Sequence, residues 1–185
     1  YCDYNASNHV EIIEFYKDFI KKHPENPRTY LWLMDLLLAD GRTEEATEYL
    51  WKMDKIEHSF RTDLYLGLIA KAECDLPKAL EYWEHMTEEF DYWLSWSCKG
   101  DLFARLCRFD EAMEFYEHAL ALQEPPRYVD IPESLSCIAE ATGDYEKAIE
   151  YRHKAIEVCE KEWNITEGEW VDFHKREIER LLKKI

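Results

Sequence analysis

The sequence predicts an all-α protein, a solenoid built from a repeated helical unit. Three observations carry this. The stretches "GRTEEATEYLWKM" from 41, "CDLPKALEYWEHM" from 74, "CRFDEAMEFYEHA" from 107 and "GDYEKAIEYRHKAIE" from 143 share one pattern. Their alanines Ala46, Ala79, Ala112 and Ala148 recur at intervals of 33, 33 and 36, and a fixed period of that size marks a helical array. The 185-residue chain is 46% hydrophobic and 15% aromatic, enough to bury a core, while its five glycines and lack of long alternating Val/Ile/Thr runs argue against strands.

The turn positions Gly41, Cys74, Cys107 and Gly143 keep the same spacing, and Met53, Met86, Ala119 and Ala155 lie seven residues past the alanines. The first unit, about 27–59, offers Tyr30, Leu33, Leu37, Gly41, Ala46, Leu50 and Met53. The second, 60–92, offers Leu66, Gly67, Ala70, Ala79, Trp83 and Met86. Trp96, Gly100, Phe103, Ala112, Tyr116 and Ala119 mark the third, 93–128, and Leu135, Ala139, Gly143, Ala148 and Ala155 the fourth, 129–163. This pattern resembles the tetratricopeptide repeat family, whose unit is two antiparallel helices. The resemblance spans about 9–163 and implies a right-handed superhelix of antiparallel helix pairs. It makes "HVEIIEFYKDFIKKH" the second helix of a half-unit at 9–26, closed by Pro24; residues 1–8 then read as a linker or the edge of a longer chain. Lys99, Arg152 and Pro132 depart from the family pattern, so the fourth unit is the least typical.

Close helix crossing explains the small residues: the alanines, and Gly67 and Gly100, which cost about 1 kcal/mol each in helix propensity. Gly41 and Gly143 suit a left-handed residue after a helix end, a position that Cys74 and Cys107 fill less favourably. In the last repeat helix Tyr145, Ala148, Ile149, Ala155, Ile156 and Cys159 form one stripe. Thr166 and Glu169 read as a capping box opening a terminal capping helix, 164–185, with Trp170, Phe173, Ile178, Leu181 and Leu182 on its apolar side.

The formal charge of −17 disfavours direct nucleic acid binding. No apolar run reaches bilayer length and no signal peptide opens the chain, so a cytoplasmic protein without membrane contact is expected. The cysteines, at 2, 74, 98, 107, 137 and 159, read as reduced thiols, and the sequons at Asn5 and Asn164 carry no weight there. No phosphate loop, Gly-x-Ser-x-Gly, Cys-x-x-Cys or His-Glu-x-x-His occurs, so no enzyme, cofactor or metal site is expected. Glu150 and His153 form a lone Glu-x-x-His on a solvated face. His85 and His118 read as surface partners of Glu81 and Glu114.

In the resembled family the first helix of each unit lines a concave groove. Carried over, the candidate peptide-binding residues are Arg28, Leu31, Trp32, Asp35, Arg61, Leu64, Tyr65, Leu68, Lys71, Cys98, Asp101 and Arg105. Four cations against two anions leave these positions at net +2, and a competing reading packs several of the apolar ones inside the array. The implied function is a non-catalytic scaffold for a protein or peptide segment with apolar anchors and a carboxylate; a homodimer stays open. The Lys/Asn clamp with which some members hold chaperone tails is replaced by Leu31, Asp35, Tyr65, Leu94 and Cys98. The tail "KEWNITEGEWVDFHKREIERLLKKI" is also similar to the ends of bacterial helix-turn-helix regulators of the phage-repressor type. That implies an alternative, the sensor or oligomerisation half of a transcription regulator whose DNA-binding domain precedes Tyr1.

Overall fold

A computed structural model describes residues 9–185, so the expected linker 1–8, Cys2 and the Asn5 sequon lie outside the described residues. The described residues form ten α-helices and no strand, in two compact bodies divided between Phe90 and Asp91.

The N-terminal body holds α1 (His9–Lys22), α2 (Pro27–Ala39), α3 (Thr43–Asp54), α4 (Phe60–Ala72) and α5 (Leu76–Glu89). Asn26 caps α2 by accepting from the Arg28 amide, and Pro27 takes the first position, where no amide hydrogen is needed. Ala46, Leu50 and Met53 present one buried stripe of α3 to Leu33, Met34 and Leu37 of α2 in a single apolar core. In α4 an added Cβ at Gly67 would stand 1.9 Å from Nε1 of Trp83, so the indole of α5 lies directly on the α4 backbone.

The C-terminal body holds α6 (Trp93–Arg105), α7 (Phe109–Leu122), α8 (Asp130–Thr142), α9 (Tyr145–Glu162) and α10 (Glu169–Leu182). Gly100 repeats the role of Gly67 less tightly, with the Tyr116 ring 3.0 Å from where a Cβ would be. Ala112, Ala119, Ala148 and Ala155 are fully buried, as close crossing requires.

Each intra-repeat turn closes in the same way. Gly41, Cys74, Cys107 and Gly143 take φ of 71°, 65°, 58° and 86°. The next residue's amide returns to a carbonyl five residues back: Arg42 to Leu37, Asp75 to Ala70, Arg108 to Phe103, Asp144 to Ala139. This is the Schellman closure, and at two of the four turns a cysteine adopts the conformation that glycine takes more easily.

Two expectations for the last helix are corrected. The Thr166–Glu169 capping box does not form: Gly168, at φ 118°, is the N-cap and makes no side-chain cap bond, so Glu169 begins the helix two positions too early to reach back. The helix is also rotated from the expected phase. Val171, His174, Ile178 and Leu181 are buried, whereas Phe173 and Leu182 are 43% and 57% exposed. Leu181 packs on Ala139 and Ala148, and Val171 and Ile178 pack on Ile156, so α10 contacts both α8 and α9.

Candidate functional site

The first turns of α2 and α4 start side by side, which brings Arg28, Leu31 and Arg61 together. With Pro27, Met53, Glu57 and Ser59 they line a pocket of about 270 Å³. Arg28 is exposed and makes no ion pair with any described residue. Arg61 holds Glu57 loosely, at 3.8 Å, and its guanidinium lies 4.7 Å from the centre of the Phe60 ring. Two guanidinium groups beside an aliphatic side chain suit a carboxylate flanked by apolar groups.

Further along α2 and α4 the expected lining is partly withdrawn. Tyr65 is buried, and its hydroxyl donates to Asp35 Oδ1 at 2.7 Å. Burial pushes the Asp35 carboxyl above its ordinary range, while the Tyr65 hydroxyl pulls the other way. This removes Tyr65 from an accessible surface and turns it into a brace between the helices. Leu31, Leu64 and Leu68 are half-buried against the core, so the competing reading of the apolar positions holds for them in part. Trp32 stays 51% exposed, with its ring 5.9 Å from that of Tyr16 in α1. Lys71 is half-buried.

In the C-terminal body Cys98, Asp101 and Arg105 lie along α6. Asp101 accepts a short hydrogen bond from the Tyr116 hydroxyl. Burial first, and Asp101 second, push that phenol well above its usual range. Asp101 is therefore committed to a partner in α7, while Cys98 is partly buried and Arg105 is exposed without an ion pair among the described residues.

Some side chains found partners that sequence spacing did not indicate. His85 meets Asp63 at 2.7 Å and Glu89 at 3.7 Å instead of Glu81, and His118 lies 3.4 Å from Asp91 instead of pairing with Glu114. The His58 imidazole, hydrogen-bonded to Asp54 and Glu89, is held above its ordinary pKa; so is that of His85, by Asp63. Arg152, expected as a departure, is buried with its Nη1 at 3.2 Å from His174 Nδ1, and His174 Nε2 lies 2.8 Å from Glu133. Cys74, Cys107, Cys137 and Cys159 are free thiols. No helix among the described residues is long and apolar enough to cross a membrane.

The family model for the tetratricopeptide repeat matches residues 95–125 and 133–162. A TPR repeat-containing protein of Methanocaldococcus jannaschii is 25% identical over 171 residues, 84% of this chain; the chain spans only 29% of that relative's length. Among solved structures, a tetratricopeptide repeat protein from Parabacteroides merdae is similar with a TM-score of 0.65 at 15% identity, covering 96% of this chain and 66% of that one. A thermophilic TPR protein of Thermus thermophilus is similar with a TM-score of 0.63 at 18% identity, covering 96% and 92%. PilW, a type IV pilus biogenesis factor, is similar with a TM-score of 0.62 at 16% identity, covering 97% and 80%. At these identities the structural likenesses speak to fold, and none of the matches supports the regulator reading of the C-terminal helix.

Proposed function

We propose that this chain, whose residues 95–125 and 133–162 match the tetratricopeptide repeat, acts as a non-catalytic scaffold that holds a segment of another protein. The segment carries apolar anchors and a carboxylate, and the carboxylate is taken by Arg28 and Arg61. The observation that carries this reading is the pocket at the start of α2 and α4. There two arginines and Leu31 share about 270 Å³ in a chain whose formal charge is −17. A cationic pocket in so acidic a chain stands apart from most of the chain's own surface and favours an anionic guest. Trp32, exposed one residue beyond Leu31, supplies an apolar contact on the same helix.

A random peptide display library panned on the full chain tests this. Enriched peptides should pair an acidic residue or a free C-terminus with neighbouring apolar residues. By fluorescence anisotropy, Arg28→Glu with Arg61→Glu should bind the best of them at least tenfold more weakly, about 1.4 kcal/mol. Lys78→Glu with Lys183→Glu, two exposed lysines outside the pocket lining, should bind like the parent. Enrichment without acidic preference, or equal loss in both double variants, rules the pocket out.

A further inference from the structure

We propose that the N-terminal body carries a binding site for a divalent transition-metal ion of the zinc type, formed by Asp63 of α4 and by His85 and Glu89 of α5, with His58 beside them. One donor atom from each of Asp63, His85 and Glu89 lies within 4.8 Å of the other two. His85 Nδ1 is 2.7 Å from Asp63 Oδ2 and 3.7 Å from Glu89 Oε2, and Glu89 Oε1 is 3.3 Å from His58 Nε2. Four nitrogen and oxygen ligands placed tetrahedrally at the usual zinc bond lengths stand roughly 3.3–3.5 Å apart. The three separations of 2.7, 3.3 and 3.7 Å bracket that value, and the Asp63 and Glu89 donors lie within 4.8 Å of each other.

The adjustment needed is small and falls on side chains that can make it. His85, His58 and Glu89 are exposed, and His85 and Glu89 share one face of α5 at a separation of four residues. Asp63 is the fixed point, 8% exposed in the first turn of α4. His58 stands beside these three donors, with its Nε2 3.3 Å from Glu89 Oε1. Its Nδ1 faces Asp54 Oδ1 at 2.6 Å, and the Thr62 hydroxyl donates to the same oxygen at 2.6 Å. A carboxylate behind one ring nitrogen leaves the other, Nε2, turned toward Glu89, which is the usual outer arrangement of a metal-bound histidine.

Charge argues the same way. Asp54, Asp63 and Glu89 bring three carboxylates together, and their ion pairs among the described residues are with histidines alone, no lysine or arginine among them. Mixed imidazole and carboxylate donors select zinc, nickel or copper over magnesium or calcium.

The next repeat provides an internal comparison. Thirty-three residues on, Asp63, His85 and Glu89 become Trp96, His118 and Leu122. There the imidazole of His118 packs on the Trp96 ring with centroids 4.3 Å apart. The repeat geometry that brings a helix-pair histidine against the residue opposite is thus reused, with an apolar partner in one copy and donors in the other.

The test uses the full chain freed of metal with EDTA. Calorimetric titration with zinc chloride should show one saturable site, and zinc should raise the melting temperature. His85→Ala and Glu89→Gln, both at exposed positions, should each weaken zinc at least tenfold and lose the zinc-dependent shift. His118→Ala should keep both. Cobalt(II) should give visible d–d bands without the near-ultraviolet thiolate charge-transfer band that binding by Cys74, Cys107 or Cys137 would produce. A parent without saturable zinc binding, equal loss in His118→Ala and His85→Ala, or a thiolate band overturns the proposal.

Discussion

Replacing Gly67 by alanine probes the close crossing of α4 and α5 with a single methyl group. The new Cβ would lie 1.9 Å from Nε1, 2.4 Å from Cδ1 and 2.6 Å from Cε2 of Trp83. Ordinary carbon contacts begin near 3.5 Å, so the indole must retreat by roughly 1.5 Å. It has nowhere to go: Trp83 is fully buried. Its Nε1–H also donates to the Leu64 carbonyl at 3.4 Å, a bond the retreat would break. Helix propensity favours alanine by about 1 kcal/mol. Overpacking costs about 1–3 kcal/mol, here at the upper end because the ring is rigid, and the lost hydrogen bond adds about 1. The balance is a destabilisation of about 2–3 kcal/mol.

Gly100→Ala is the matched control. Its Cβ would meet the Tyr116 ring at 3.0 Å, a conflict that a shift of a few tenths of an ångström relieves, so propensity and crowding nearly cancel. Far-ultraviolet circular dichroism should show Gly67→Ala melting roughly 4–12 °C below the parent, at about 2–4 °C per kcal/mol for a chain of this size. Repeat arrays need not unfold all at once. Hydrogen exchange should therefore place the loss in α4 and α5. A Gly67→Ala protein that melts at or above the parent, or a Gly100→Ala protein damaged equally, would refute the contact argument.

Two further outcomes are expected. Cys107→Gly should raise stability by about 0.5–1 kcal/mol in chemical unfolding, because the exposed cysteine sits at φ 58° and gains little there from its side chain; a lower midpoint would show that the side chain stabilises the turn. Glu140 accepts from both terminal nitrogens of Arg180, at 2.7 and 2.6 Å, and from Lys184 at 3.1 Å. Arg180 first, then Lys184, lower its carboxyl from 4.5 to about 2. A depressed folded pKa contributes stability that is present above 4.5 and lost as pH falls toward 2. The stability gap between parent and Glu140→Gln should therefore close across that window, with hydrogen exchange in α10 reporting it. A gap that stays constant from about pH 7 down through that window would contradict the pairing.

What could be read from sequence was what steric contact demands of one residue at a time. Ala46, Ala79, Ala112 and Ala148 are fully buried because a close crossing excludes a larger side chain whatever lies opposite. The left-handed turns were legible even at Cys74 and Cys107, since the spacing fixes the position before the residue type is considered. Polar partnerships were not legible in this way. Arg152 stands out as a charge on an apolar stripe, yet its partner His174 lies 22 residues away on a helix whose apolar pattern favours Trp170 and Phe173. Burying a guanidinium requires a polar partner, so α10 turns His174 inward between Arg152 and Glu133 and leaves Phe173 outside. The rotated phase of α10 puts His174 against both Arg152 and Glu133. The pocket of Arg28 and Arg61 and the cluster of His85 depend likewise on side chains from different helices. The repeat period aligns such positions but does not decide which of their side chains will meet.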